Sequence, residues 1–163
     1  MYKLGLDIHG VIDKEPELFS ELTRIMKSKG CEIHILTGSR ITPELKEQLN
    51  GYGIVYDYIF SILDYHTETG EDMWQDSKNN WWIDDEIWDG TKSIYCVDNN
   101  INLHIDDTKR YGEFFSTPFI HFTIDSNLEI VEEYTKGDEF TNTVIKYLMD
   151  MNSKMKSELI KFK

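Results

Sequence analysis

The sequence is short of three things: positive charge, cysteine and unbroken apolar runs. Lysine and arginine number 17 against 30 aspartates and glutamates, which leaves a formal charge of -13. A surface of that sign repels polyanions, because nucleic-acid binding draws most of its affinity from basic side chains that neutralise phosphates. A nucleic-acid polymer is therefore not an expected partner. A small phosphorylated molecule remains allowed, since one bound cation and one lysine can dominate a local field whatever the global balance. The two cysteines, Cys31 and Cys96, lack metal-ligand spacing and sit in apolar segments, which predicts reduced, buried thiols and a reducing compartment. Neither they nor the five histidines show zinc spacing. No stretch approaches a membrane-spanning length, and the opening Met1 to Asp7 runs into charge instead of a signal-peptide core. A cytoplasmic protein with no membrane partner is expected.

What the chain does have is apolar material for one ordinary domain. Of 163 residues, 40% are hydrophobic and 13% aromatic, whereas disordered chains are poor in the groups that favour burial. Leu4 to Asp7 reads as a first short strand and Ile33 to Thr37 as a second. Between them Pro16 starts a helix, Leu18, Leu22, Ile25 and Met26 give it an apolar face, and Gly30 stops it. Thr42-Pro43-Glu44 opens the next helix with a hydroxyl cap, a proline and an acid, and Gly51 or Gly53 closes it. Ile54 to Leu63 supplies a third strand, Asn102 to Ile105 a fourth and Pro118 to Ile124 a fifth. This alternation predicts an α/β fold, a single Rossmann-like three-layer domain over residues 1–163 with a mainly parallel central sheet.

Two stretches break the rhythm. From about Asp64 to Gly90 the chain is polar and acidic yet holds Trp74, Trp81, Trp82 and Trp88, which predicts a small inserted cap or loop with its own apolar cluster. From about Asp138 onward Phe140, Val144, Leu148 and Met151 recur at helical spacing and lysines follow, so a closing helix is expected.

In an open parallel sheet, ligands bind beyond the carboxyl ends of the strands. Here those ends are Asp7, Thr37 and the pair Asp106-Asp107. Clustered carboxylates repel one another until a cation relieves them, so two separated acidic strand ends point to a metal site. The blander reading of Asp7 and Gly10 as turn formers accounts for neither the second strand end nor its doubled acid.

Four segments, in this order, resemble the signatures of the haloacid dehalogenase (HAD) superfamily of phosphotransferases. Leu4-Gly5-Leu6-Asp7-Ile8-His9-Gly10-Val11-Ile12 resembles its apolar strand ending in a nucleophilic aspartate. Ile33-His34-Ile35-Leu36-Thr37-Gly38-Ser39-Arg40 resembles its strand ending in threonine or serine. Lys92, before Ser93-Ile94-Tyr95, resembles the lysine that opens the helix leading into the last catalytic strand. Leu103-His104-Ile105-Asp106-Asp107 resembles the strand ending in acids, and the likeness spans roughly Leu4 to Phe122.

The resemblance implies a Mg²⁺-dependent phosphohydrolase of a small phosphomonoester, with nucleotides among the candidates. Asp7 would form an aspartyl-phosphate. Mg²⁺ would be held by Asp7, the main-chain carbonyl of His9 and the side chain of Asp106 or Asp107. Thr37 and Lys92 would stabilise the transferring group, while Gly10, Gly38, Ser39 and Arg40 would contact the substrate. The chain departs from the family at His9, where its phosphatases usually carry a second aspartate as general acid/base. An imidazole, with an ordinary pKa of about 6.5, can protonate a leaving alkoxide and later take a proton from water. The alternative is a catalytically impaired member that binds metal and a phosphorylated ligand in a regulatory role.

Other residues receive plainer readings. Asp13 and Glu15 are expected to be solvated, and His34, His104 and His121 to be half-exposed or satisfied sheet histidines. Arg40 is as well suited to a surface salt bridge as to a distal phosphate. The tryptophans of the insert are read as a mini-core ahead of a base-stacking surface.

Overall fold

The computed structural model describes residues 1–123 and 138–161. β1 (Lys3–Leu6) leads into a single π-type turn over Ile8–Ile12 and then α1 (Pro16–Ser28). Pro16 occupies the first turn of α1, where its missing N–H leaves no bond unmade, and the chain departs through Gly30 at φ +81°. β2 (Glu32–Thr37) and α2 (Pro43–Gly51) follow, with the Thr42 hydroxyl accepting from the Leu45 amide at 3.1 Å.

β3 covers only Tyr58–Ser61, shorter than the expected strand from Ile54 to Leu63. The Ser61 hydroxyl accepts from the Asp64 amide at 3.1 Å and caps α3 (Ile62–Thr69). A hydroxyl cap with an acid three residues on therefore overrides the apolar run that suggested extended chain. Next come a two-stranded hairpin, β4 (Trp74–Gln75) and β5 (Trp81–Trp82), and then α4 (Asp85–Asp98). The expected mini-core does not form there: Trp74, Trp81 and Trp82 are 54%, 40% and 47% exposed. Asp76 organises the hairpin instead, accepting from Trp82 Nε1 and from the Asn80 amide, each at 3.0 Å.

β6 (Leu103–Asp106), a 3-10 turn over Lys109–Phe114 and β7 (Phe119–His121) complete the sheet. Ile124, the expected end of the fifth strand, lies outside the described residues. α5 (Glu139–Lys161) starts where the Asp138 carboxylate accepts from the Thr141 amide at 2.8 Å, and it buries Phe140, Val144 and Leu148 as their spacing predicts.

The five long-range strands pair in parallel in the order β3-β2-β1-β6-β7. Alternation divides their side chains between two cores. Leu4, Leu6, Ile33, Ile35, Leu103 and Ile105 join residues of α1, α2 and α5 on one face. On the other, Leu36 and Phe119 pack with Cys96 of α4 and with Tyr111 and Phe115. The result is a Rossmann-like three-layer α/β fold with a five-stranded parallel sheet. Cys31 and Cys96 are free and buried, as expected. Among the described residues, no helix is long and apolar enough to cross a membrane.

The chain starts in the middle of the sheet, builds β2 and β3 on one side, then crosses to build β6 and β7 on the other. Strand order reverses between β1 and β6, and in open α/β sheets a crevice opens at that point, beyond the carboxyl ends.

Candidate functional site

Pairing of Leu6 with Ile105 sets the ends of β1 and β6 side by side, and the Asp7 amide continues the ladder by donating to the Ile105 carbonyl at 3.0 Å. Lys92 of α4 meets both acids: its Nζ donates to Asp7 Oδ1 at 2.8 Å and to Asp106 Oδ2 at 2.7 Å. Lys92 does not open its helix, as the sequence suggested, but lies in the interior of α4. The helix opens earlier because the Asp84 carboxylate accepts from the Glu86 and Ile87 amides. What places Lys92 is the sheet-facing side of α4, which brings its ammonium onto the strand ends.

Asp7, Asp106 and Asp107 can each bring one carboxylate oxygen within 4.8 Å of the others. Burial pushes the Asp7 carboxyl up to about 7, with Lys92 opposing the rise and Asp106 adding to it. Burial works to raise Asp106 as well, but Lys92 and His104 overcome it and hold that carboxyl well below its ordinary value. Burial and then Asp106 raise Asp107. Desolvation alone would lower Lys92, yet Asp106 and Asp7 keep its ammonium well above the usual lysine range. One ammonium thus faces three acids, and burial is the main reason that Asp7 stays raised despite it. An oxygen-only donor set of this kind fits a hard divalent cation such as Mg²⁺.

The support beneath Asp106 went unread in the sequence. His104, two residues earlier on the same face of β6, places Nε2 3.0 Å from Asp106 Oδ2 and is wholly buried. Burial lowers the pKa of its imidazole against the pull of Asp106, so the neutral ring donates its Nε2–H. Its neighbour across the ladder is Gly5, where an added Cβ would lie 2.8 Å from His104 Nδ1. The glycine makes room for the ring.

Past β1 the backbone kinks at His9 and turns left-handed at Gly10, with φ +84°. A Cβ on Gly10 would sit 2.0 Å from Asp107 Oδ2, so only glycine lets the turn close on that carboxylate. The Gly10 amide was expected to face substrate. It donates instead to Asp13 Oδ1 at 2.7 Å, so Asp13 is not merely solvated. Asp13 Oδ2 also lies 3.2 Å from His9 Nδ1, while His9 Nε2 lies 3.1 Å from Ser39 Oγ. The half-exposed imidazole is held from both ends.

The remaining expected residues divide. Gly38 and Ser39 line the same cleft as Asp7, His9 and Lys92. Thr37 is fully buried and does not line it; its Oγ1 accepts from the Ser39 amide at 3.1 Å and shapes the turn. Arg40 turns to Asp64 and Thr67, each at 3.1 Å, with its guanidinium 5.4 Å from the Trp81 ring; it makes the salt bridge and does not line the cleft. The cleft encloses about 390 Å³, and its apolar wall of Leu63, Trp88 and Tyr111 was not foreseen. The spacing of His9 and Asp13, and of His104 and Asp106, could have suggested paired side chains. Nothing local marks Tyr111, which the 3-10 turn carries back onto α4.

Comparison with known proteins adds no relative: no family model matches the chain, and no curated protein matches it significantly.

Proposed function

We propose that the chain is a Mg²⁺-dependent phosphohydrolase of the HAD type, acting in the cytoplasm on a small phosphomonoester through an aspartyl-phosphate on Asp7. The observation that carries this reading is the convergence of Asp7, Asp106 and Asp107 with buried Lys92 at the carboxyl ends of two adjacent parallel strands. An aspartate that only formed a turn would need neither burial nor a buried ammonium.

Mg²⁺ held by Asp7, Asp106 or Asp107 and the His9 carbonyl would screen a phosphate dianion from the acids around it. Asp7 supplies the nucleophile. Its Oδ1 is held by Lys92, and Oδ2 bonds to phosphorus as the ester P–O bond breaks. The departing alkoxide takes a proton from His9 Nε2, while Asp13, 3.2 Å from Nδ1, orients the ring. Water then attacks phosphorus, its proton passes to His9, the bond to Asp7 breaks and inorganic phosphate leaves.

The test is phosphate release from p-nitrophenyl phosphate and a panel of metabolite monophosphates, with Mg²⁺ or with EDTA. Release is expected to need the metal and to fall at least about 100-fold in Asp7→Asn. Release indifferent to metal or to Asp7→Asn overturns the reading. Mg²⁺-dependent phosphate binding without turnover would instead mark a member that binds its ligand and does not hydrolyse it.

A further inference from the structure

Trp88 sits near the start of α4, and the edge of its ring occupies the space that a Gly38 side chain would take. A Cβ there would lie 2.7 Å from Trp88 Cζ2 and 3.1 Å from Cη2. On its other side the indole N–H donates to Tyr111 Oη at 2.6 Å. The ring is therefore pinned between the turn after β2 and the turn after β6. Tyr111 is buried, and the Lys92 ammonium lies 5.5 Å from its ring centroid. Together with Leu63, the two aromatics give the cleft a flat, uncharged, immobilised wall in the same space as Asp7.

Cations are scarce there. Among the described residues, Lys92 is the only lysine or arginine that lines the cleft, and both Asp7 and Asp106 already hold it. Arg40 is engaged by Asp64, and Arg110 by Asp89 at 2.9 Å. A substrate with a second phosphate would bring further negative charge beside Asp107, and among the described residues no lysine or arginine besides Lys92 lines the cleft to receive it.

Resting on the phosphohydrolase reading, we infer that the cleft selects monophosphates of flat, uncharged groups, and that Trp88 sets this preference. Nucleoside monophosphates and aryl phosphates share that chemistry; nucleoside diphosphates and sugar bisphosphates do not. Stacking a base on one aromatic side chain corresponds to roughly 5- to 150-fold in affinity.

The 163-residue chain with Mg²⁺ is offered uridine 5′-monophosphate, p-nitrophenyl phosphate, glycerol 2-phosphate, uridine 5′-diphosphate and fructose 1,6-bisphosphate. Turnover is read as kcat/KM, and binding by calorimetric titration of Asp7→Asn, which separates recognition from the intrinsic reactivity of each ester. Both flat monophosphates are expected to exceed glycerol 2-phosphate at least about 5-fold on each readout, with the diphosphate and bisphosphate weaker still. The comparison of the uridine and nitrophenyl esters tells whether a nucleoside or any aryl group is preferred. In Trp88→Leu the ratio of flat to acyclic substrate should collapse to within about twofold, while Trp88→Phe, which keeps a flat ring, should retain part of it. Equal handling of glycerol 2-phosphate, a preference for the bisphosphate, or an unchanged ratio in Trp88→Leu overturns the inference and leaves hydrolysis standing. Failure of every probe to be hydrolysed or bound removes the phosphohydrolase reading and the inference with it.

Discussion

His104 donates from Nε2 to Asp106 Oδ2 at 3.0 Å, and both side chains are wholly buried on the face of β6 that α4 covers. A buried carboxylate held by a neutral imidazole and an ammonium is fixed in direction before any ligand arrives.

Removing the imidazole should therefore loosen the proposed cation site as well as the core. His104→Ala is expected to cost about 2–4 kcal/mol of stability, as a buried hydrogen bond is lost and a cavity opens beside Gly5. Mg²⁺ affinity should fall about 10-fold or more, as it does when residues that orient metal ligands are removed. Urea unfolding and calorimetric titration measure the two effects. Loss of stability with unchanged affinity would leave His104 a packing residue only.

Gly10 and Gly30 have nearly the same left-handed backbone, φ +84° and +81°, but different surroundings. A Cβ at Gly30 meets nothing within 4 Å, whereas at Gly10 it meets Asp107. Gly30→Ala should cost only the conformational penalty, about 1–2 kcal/mol. Gly10→Ala should cost more than that and also weaken Mg²⁺ binding, because Asp107 must move. Equal effects of the two substitutions on affinity would show that Asp107 plays no part in holding the cation.

The Asp7 carboxyl, raised to about 7, makes a pH prediction with a definite sign. A carboxyl whose folded pKa exceeds its unfolded value favours folding most below the unfolded pKa, and that contribution is lost as pH climbs through the folded one. In the metal-free protein, Asp7 should thus become a destabilising charge between about pH 4 and pH 7. Asp7→Asn removes it. The variant should gain on wild type by roughly 2–4 kcal/mol from pH 4 to pH 8 in EDTA, and saturating Mg²⁺ should reverse the ranking at pH 8. Parallel stability-pH curves for the two proteins would contradict this.

Much of the site is legible in the sequence because polar residues that end apolar strands have few structural reasons to be there. Asp7, Asp106 and Asp107 belong to that class, and the alternation of strands with helices is enough to bring them together. Lys92 is legible as a nearby cation but not in its helical register, because the Asp84 cap starts α4 well before it. Asp13 looks like an ordinary flap acid, and its two hydrogen bonds exist only once Gly10 adopts positive φ. The third strand misleads because Ile62 and Leu63 extend an apolar run into a helix that Ser61 has already capped. Trp88 and Tyr111 are invisible as a pair, since their contact depends on how a 3-10 turn folds back on α4 and leaves no periodic trace.

The neighbours of β1 in the sheet come from opposite stretches of the chain. β2 lies just beyond α1, but β6 arrives much later, and the bond from Lys92 to Asp7 spans 85 residues. Until that long loop closes, β1 is an open edge and its terminal acid faces water with an ordinary affinity for protons. The raised proton affinity of Asp7 thus depends on contacts far along the chain, from α4 and β6. A chain cut short after α3 would keep Asp7 in its sequence and lose the lysine and the neighbouring acid that surround it.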